Sequence, residues 1–188
     1  IKGTAGNDEI TLADAQTKEN ITIETGEGTN KVTTGTVTAT KQVITIKGGS
    51  GNDTFDVSAS KIAGSGFDGS SDNLRYTAIE NLTVGDKIKI SGSATAGAVE
   101  KVHLDPNGNT YANFAAFATA TGFFTTATAA GKVYAFSYGN ETYLFYNSAA
   151  GGTSFDVNDN LVKLAGNINM VNLDATVDAS GNITINGF

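Results

Sequence analysis

The chain has 188 residues, among them 23 glycines, one proline, no cysteine and no tryptophan. Its 12 Lys and Arg against 19 Asp and Glu give a formal charge of −7, which repels nucleic-acid phosphates and anionic bilayers and attracts divalent cations. The lack of cysteine excludes disulfides and thiolate zinc sites, and the single histidine forms no zinc cluster. Hydrophobic residues make up 39% and alternate clearly with polar ones, so the chain is not a disordered polyanion. Abundant threonine, which suits a pleated surface, and repeated glycine, which suits turns, together predict an all-β fold. No apolar run is long enough to cross a bilayer, so no membrane insertion is expected. The chain opens on Ile1-Lys2-Gly3-Thr4, inside a repeat and without methionine, and is expected to be part of a longer protein.

Three segments in the first third align on one another. They are Gly3 to Ile10 (GTAGNDEI), Thr25 to Val32 (TGEGTNKV) and Gly48 to Phe55 (GGSGNDTF). Each places a glycine two residues before an Asp or Asn and an apolar residue two after it. The apolar anchors Ile10, Val32 and Phe55 recur at a nearly fixed period, which predicts coils stacked on one another, because a single coil cannot bury its own apolar side. Alternating strands, Asn20 to Ile23 and Val43 to Ile46, enter the glycine turns.

Gly48 to Asp56, GGSGNDTFD, matches throughout the G-G-x-G-x-D-x-U-x nonapeptide of the calcium-binding RTX parallel β-rolls, and in that segment the chain resembles this family. The first segment departs at the second glycine; the second also lacks the first glycine and has Asn30 in the aspartate position. The resemblance implies calcium at Gly6, Asp8, Gly28, Asn30, Gly49, Gly51 and Asp53, with Asp68 and Asp72 from a fourth, more degenerate copy at Phe67 to Leu74. The chemistry suits that ion, which takes ~6–8 oxygens from carboxylates and backbone carbonyls. Because the motif occurs once per coil, one row of sites is expected where the family usually has two, and the opposite turns, around Asp14 to Lys18 and Thr36 to Lys41, are expected to be metal-free. The same residues also build ordinary turns, and a solenoid can stack without metal.

From Tyr76 the glycine repeat stops, which divides the chain into a degenerate roll (1–75) and a β-rich C-terminal capping domain (76–188). Ala78 to Ile90, with Gly85-Asp86-Lys87-Ile88, resembles the segment that closes RTX rolls. After the Asp105-Pro106-Asn107-Gly108 turn, Tyr111, Phe114, Phe117, Ala118 and Thr121 share one helical face and predict a short amphipathic helix. Val133 to Tyr138 and Thr142 to Tyr146 predict a hairpin around Gly139-Asn140-Glu141. Strands are expected at Leu161 to Leu164 and Ile183 to Ile185, and an alternating strand at Val99 to Asp105 carrying His103. The order of helix, aromatic hairpin and terminal strand resembles the C-terminal region of RTX proteins exported by type I secretion, in particular Gram-negative surface-layer proteins. That resemblance implies a secretion signal near Phe188.

His103 has no second histidine, cysteine or Gly-x-Ser-x-Gly element to work with, and no carboxylate pair stands out, so no enzyme is expected. The expected function is that of a secreted, extracellular structural protein that binds calcium, folds as it does so and self-associates in a surface layer. Attachment to a cell-surface polysaccharide would fall to a part upstream of this chain. Two alternatives stand beside it: an adhesin or ligand-binding solenoid using the Thr36-Val37-Thr38-Ala39-Thr40 row as an ice- or glycan-binding face, and the non-catalytic tail of a secreted hydrolase.

Overall fold

A computed structural model describes residues 1–13, 20–36, 43–61, 76–105, 107, 109–127, 129–149, 156, 158–166 and 168–188. The first seven strands alternate between two sheets: β1 (Glu9–Thr11), β2 (Ile21–Glu24), β3 (Lys31–Thr33), β4 (Val43–Lys47), β5 (Thr54–Asp56), β6 (Tyr76–Glu80) and β7 (Lys87–Lys89). The odd strands are parallel neighbours in one sheet and the even strands in the other. Register puts Ile10, Val32, Phe55 and Ile88 in one row, and Ile23, Ile46 and Ile79 in a facing row. Apart from half-buried Ile10, all of these are buried, so the repeated anchors form the core between the sheets, as the period predicts.

The C-terminal strands extend the same two sheets. Next to β7 come β14 (Asn182–Gly187), β13 (Asp174–Val177) and β8 (Gly97–Ala98). Next to β6 come β12 (Asn160–Ala165), β11 (Glu141–Tyr146), β10 (Val133–Tyr138) and β9 (Glu100–Lys101). The chain is therefore all-β apart from two short helices, as composition predicts. The division drawn at residue 75 is not a break in either sheet: β6 continues the parallel ladder of β4 and passes it to β12. One core runs from Ile23 to Ile185 across it. Asn160, fully buried, ties the two parts further by donating from Nδ2 to the carbonyls of Val57 (2.7 Å) and Ile90 (3.0 Å).

The outer face of β10 and β11 carries a second, aromatic core. Val133, Ala135, Leu144 and Tyr146 face the space between the sheets, while Tyr134, Phe136, Tyr143 and Phe145 face outward under the helices. Away from the turn both faces of this hairpin are buried, which is why Val133 to Phe136 and Tyr143 to Tyr146 are apolar or aromatic throughout instead of alternating with polar residues. Its turn is the two-residue Gly139-Asn140, with φ of 58° and 63°, and Glu141 already pairs with Tyr138 in the ladder. Above it lie α1 (Phe114–Thr121) and α2 (Phe123–Thr126). Asn113 caps α1, its side chain accepting from the Ala116 N–H at 2.9 Å, and Gly122, left-handed at φ 66°, ends it.

Two expectations are corrected. The strand expected at Val99 to Asp105 shrinks to β9, and His103 lies exposed beyond it. Tyr111 precedes the helix instead of belonging to it and meets Phe117 edge-on at 5.4 Å. Among the described residues no helix is long and apolar enough to cross a membrane.

Candidate metal-binding turns

Coil stacking brings the three glycine turns into one column. At Gly51, held at φ 111°, a side chain would run into the Gly28 carbonyl oxygen, and one at Gly49 would fall on that of Gly26. Only glycine lets one turn lie this close on the next.

The Asp and Asn of the motif line up beneath these glycines and bond coil to coil. The Asp8 N–H donates to Asn30 Oδ1 (3.0 Å), the Asn30 N–H to Asp53 Oδ1 (2.8 Å), and the Asp53 N–H to Asp86 Oδ1 (2.7 Å). Each aspartate also closes its own turn: Asp8 Oδ2 accepts the Thr4 N–H (2.6 Å), Asp53 Oδ2 the Gly49 N–H (3.2 Å), and Asp86 Oδ2 the Thr83 N–H (2.7 Å). Asn30 uses its extra donor, Nδ2, on Asp53 Oδ1 (3.0 Å) and on the carbonyls of Glu27 and Gly28 (both 3.3 Å). Asn30, Asp53 and Asp86 are buried and Asp8 is half-buried. Burial pushes the Asp86 carboxyl above the ordinary carboxylate range and the Asp53 charge adds to this, against the pull of the Thr83 and Asp53 N–H groups.

Gly6, Asp8, Gly28, Asn30, Gly49, Gly51 and Asp53 are thus brought together as turns of one column. Asp68 and Asp72 lie outside the described residues, as do 14–19 and 37–42 of the opposite turns. Asp86 is a column member that the repeat alignment does not include. Its copy of the motif has lost one residue, leaving Gly85-Asp86-Lys87-Ile88, and it follows a longer coil. The signal that marks it is the aspartate two residues before the apolar anchor Ile88, the same offset as in the other three turns.

The charge balance differs between column and strand faces. On the faces, acids and lysines pair across neighbouring coils: Glu9 with Lys31 (2.7 Å), Glu24 with Lys2 (3.1 Å), Glu80 with Lys47 (3.6 Å) and Asp56 with Lys89 (3.3 Å). None of the ion pairs among the described residues involves Asp8, Asp53 or Asp86.

The donors of the column are all oxygens, from carboxylates, amides and glycine carbonyls, which suits calcium and not zinc. They are strung along the column, and no three acidic or histidine side chains converge among the described residues. Asp53 and Asp86 direct both oxygens at backbone N–H groups, one buried and one part-buried in each case. Asp8 fits a cation better: it is half-exposed, and among the described residues the one partner of its Oδ1 is the Thr4 hydroxyl at 3.2 Å. No protein-family model matches this chain, and no curated protein matches it.

Proposed function

We propose that this chain is a non-catalytic structural module of a secreted cell-surface protein, in which calcium taken up at the glycine turns draws the coils together. The reading is carried by the contrast between strand faces whose acids have lysine partners and a turn column whose acids have none among the described residues. Stacking sets the Asp53 and Asp86 carboxylates on neighbouring coils at the ~4.8 Å strand spacing, and a diffusible divalent cation lowers that repulsion where none of the described lysines does so. Binding to the folded coils then adds to folding free energy. In calcium-poor surroundings the column repels itself and the coils loosen; in calcium-rich extracellular fluid they tighten. The resemblance to RTX surface-layer proteins supports placing the module outside the cell, in a self-associating lattice.

The test is thermal unfolding of the chelator-stripped chain, followed by circular dichroism during titration with calcium and, separately, magnesium. At calcium about a hundredfold above Kd, folding gains ~2.7 kcal/mol, or about 5–10 °C in Tm for a chain of this size. Magnesium should do much less, and Asp8→Asn should reduce the calcium response. A Tm indifferent to calcium at about 10 mM, beyond the weakest extracellular calcium modules, would reduce the glycine motifs to plain turns.

A further inference from the structure

Against the aromatic core lies a cleft of about 740 Å³. It is walled by the segment before α1, the β10–β11 turn and the loop after β12. Its volume falls within the ~300–1,000 Å³ of small-ligand sites. We propose that this cleft binds a neutral oligosaccharide, with Tyr111 and Tyr138 as stacking surfaces and Asn109, Asn140 and Asn169 as the hydrogen-bonding rim.

Buried Phe117 forms the floor, with Tyr111 edge-on at 5.4 Å and Tyr138 tilted at 4.9 Å. A sugar ring presents C–H faces that pack on such rings and a rim of hydroxyls that both donate and accept. The cleft supplies the matching groups. Three exposed asparagines come from three separate segments, and a primary amide is the side chain that both donates and accepts. Asn140 is held outward by its left-handed backbone at the tip of the turn. The Asn109 amide is oriented by donating to Asp105 Oδ1 at 2.9 Å. Asn169 Oδ1 accepts the Val171 N–H at 2.9 Å, which leaves its Nδ2 as the group for a ligand acceptor.

Charge narrows the ligand. Asp105 is the one charged group among the described residues of the lining, and with the −7 of the whole chain it disfavours anionic glycans and nucleic acid. A cation would need the aromatic rings without the amides; a neutral polyol uses both. A smaller recess of about 240 Å³ shares Asp105, Ser137 and Met170 with the cleft and continues it toward His103, which extends the site beyond one sugar ring. The walls are also fixed to one another: the Thr142 hydroxyl, buried, donates to the Ile168 carbonyl at 2.7 Å and pins the hairpin to the loop after β12. A preformed cleft loses little freedom on binding.

The site is independent of the calcium reading, and the experiment keeps the two apart. The full chain, once with chelator and once with calcium, is titrated with neutral gluco-, galacto- and manno-trisaccharides, a trigalacturonate and choline, followed by ligand-observed NMR. At least one neutral trisaccharide should bind saturably at about 1 mM or tighter in both conditions, without competition from the other two classes. Tyr111→Ala and Asn140→Gly, the latter retaining a residue suited to the turn, should each weaken binding about tenfold. The Tm of Asn140→Gly should stay near wild type, while Tyr111→Ala also gives up its ring contact with Phe117 and lowers Tm by a few degrees. Absence of neutral binding at about 10 mM, preference for trigalacturonate or choline, or binding untouched by both substitutions would overturn the proposal.

Discussion

Replacing Asp53 by alanine tests whether the turn column holds the coils. Its carboxylate takes three hydrogen bonds: from the Asn30 N–H at 2.8 Å, from Asn30 Nδ2 at 3.0 Å and from the Gly49 N–H at 3.2 Å. Asn30 Nδ2 keeps the Glu27 and Gly28 carbonyls after the change, and the Gly49 N–H is near enough to solvent to hydrate. The Asn30 N–H stays buried with its acceptor gone. A hydrogen bond to a charged group contributes about 1.5–3 kcal/mol and an orphaned buried donor costs about 1–3 kcal/mol. Removing a buried charge returns part of its desolvation cost. The net loss should be about 3 kcal/mol, or about 6–12 °C in Tm. Asp8→Ala, at the half-exposed end of the column, should cost about 1 kcal/mol or less by the same reasoning. Urea unfolding in chelator, with unchanged m-values, gives both numbers free of any metal contribution. Equal costs for the two variants, or an Asp53→Ala chain as stable as wild type, would refute the idea that the buried carboxylate bolts one coil to the next.

Asp86 titrates above the ordinary carboxylate range in the folded chain, so its protonation favours folding: its contribution is greatest below pH 3.8 and is lost as pH rises through the folded pKa. The stability of wild type relative to Asp86→Asn, measured by urea unfolding, should therefore fall as pH rises from 3.8, and a relative stability that rises with pH would contradict the assignment. Gly49→Ala, whose methyl would fall on the Gly26 carbonyl, should destabilise the chain by several kcal/mol, whereas Gly92→Ala, with no atom within 4 Å of the added carbon, should leave Tm unchanged. A similar Tm for the two alanine variants would show that the turns are not in close contact.

The coils were legible in the sequence because their physics is local and repeated: an apolar anchor at a fixed offset from a glycine turn must recur in register if it is to be buried. Val32 and Phe55 follow that rule and meet as expected. The fate of the C-terminal strands was not legible, because whether β12 joins β6 or pairs within a domain of its own depends on matching edges about 80 residues apart in the chain, for which no short pattern codes. The strand β13 escaped notice for a related reason: Asp174 to Val177 is a four-residue run whose two buried residues, Ala175 and Val177, give almost no periodicity. Individual turn residues were visible, but their orientation was not. A Gly-Asn-Asp sequence reads the same whether its carboxylate turns out to a cation or in to the N–H of the next coil, and it is burial of Asp53 that selects the second. The oligosaccharide cleft draws on three segments that share no motif, so only the fold assembles it.

Asn30 separates the two roles of the column. By motif it is a degraded ligand, a neutral amide where a calcium site has a carboxylate. In the structure it stands between Asp8 and Asp53 and donates to Asp53 Oδ1 at 3.0 Å, so that two carboxylates never follow each other directly at that point. Asn30→Asp would put four acids in succession, from Asp8 to Asp86, and replace the Nδ2 donor by an oxygen. At about 5 Å and an effective dielectric of about 20, each new like-charge contact costs ~3 kcal/mol, reduced where the group protonates instead. The variant should therefore be several kcal/mol less stable than wild type in chelator at neutral pH and recover on acidification. Calcium then divides the readings. If the column takes up the ion, the added carboxylate strengthens the site, and calcium should raise the Tm of Asn30→Asp by more than it raises that of wild type. If the column is held by hydrogen bonds alone, acid restores the variant and calcium does not.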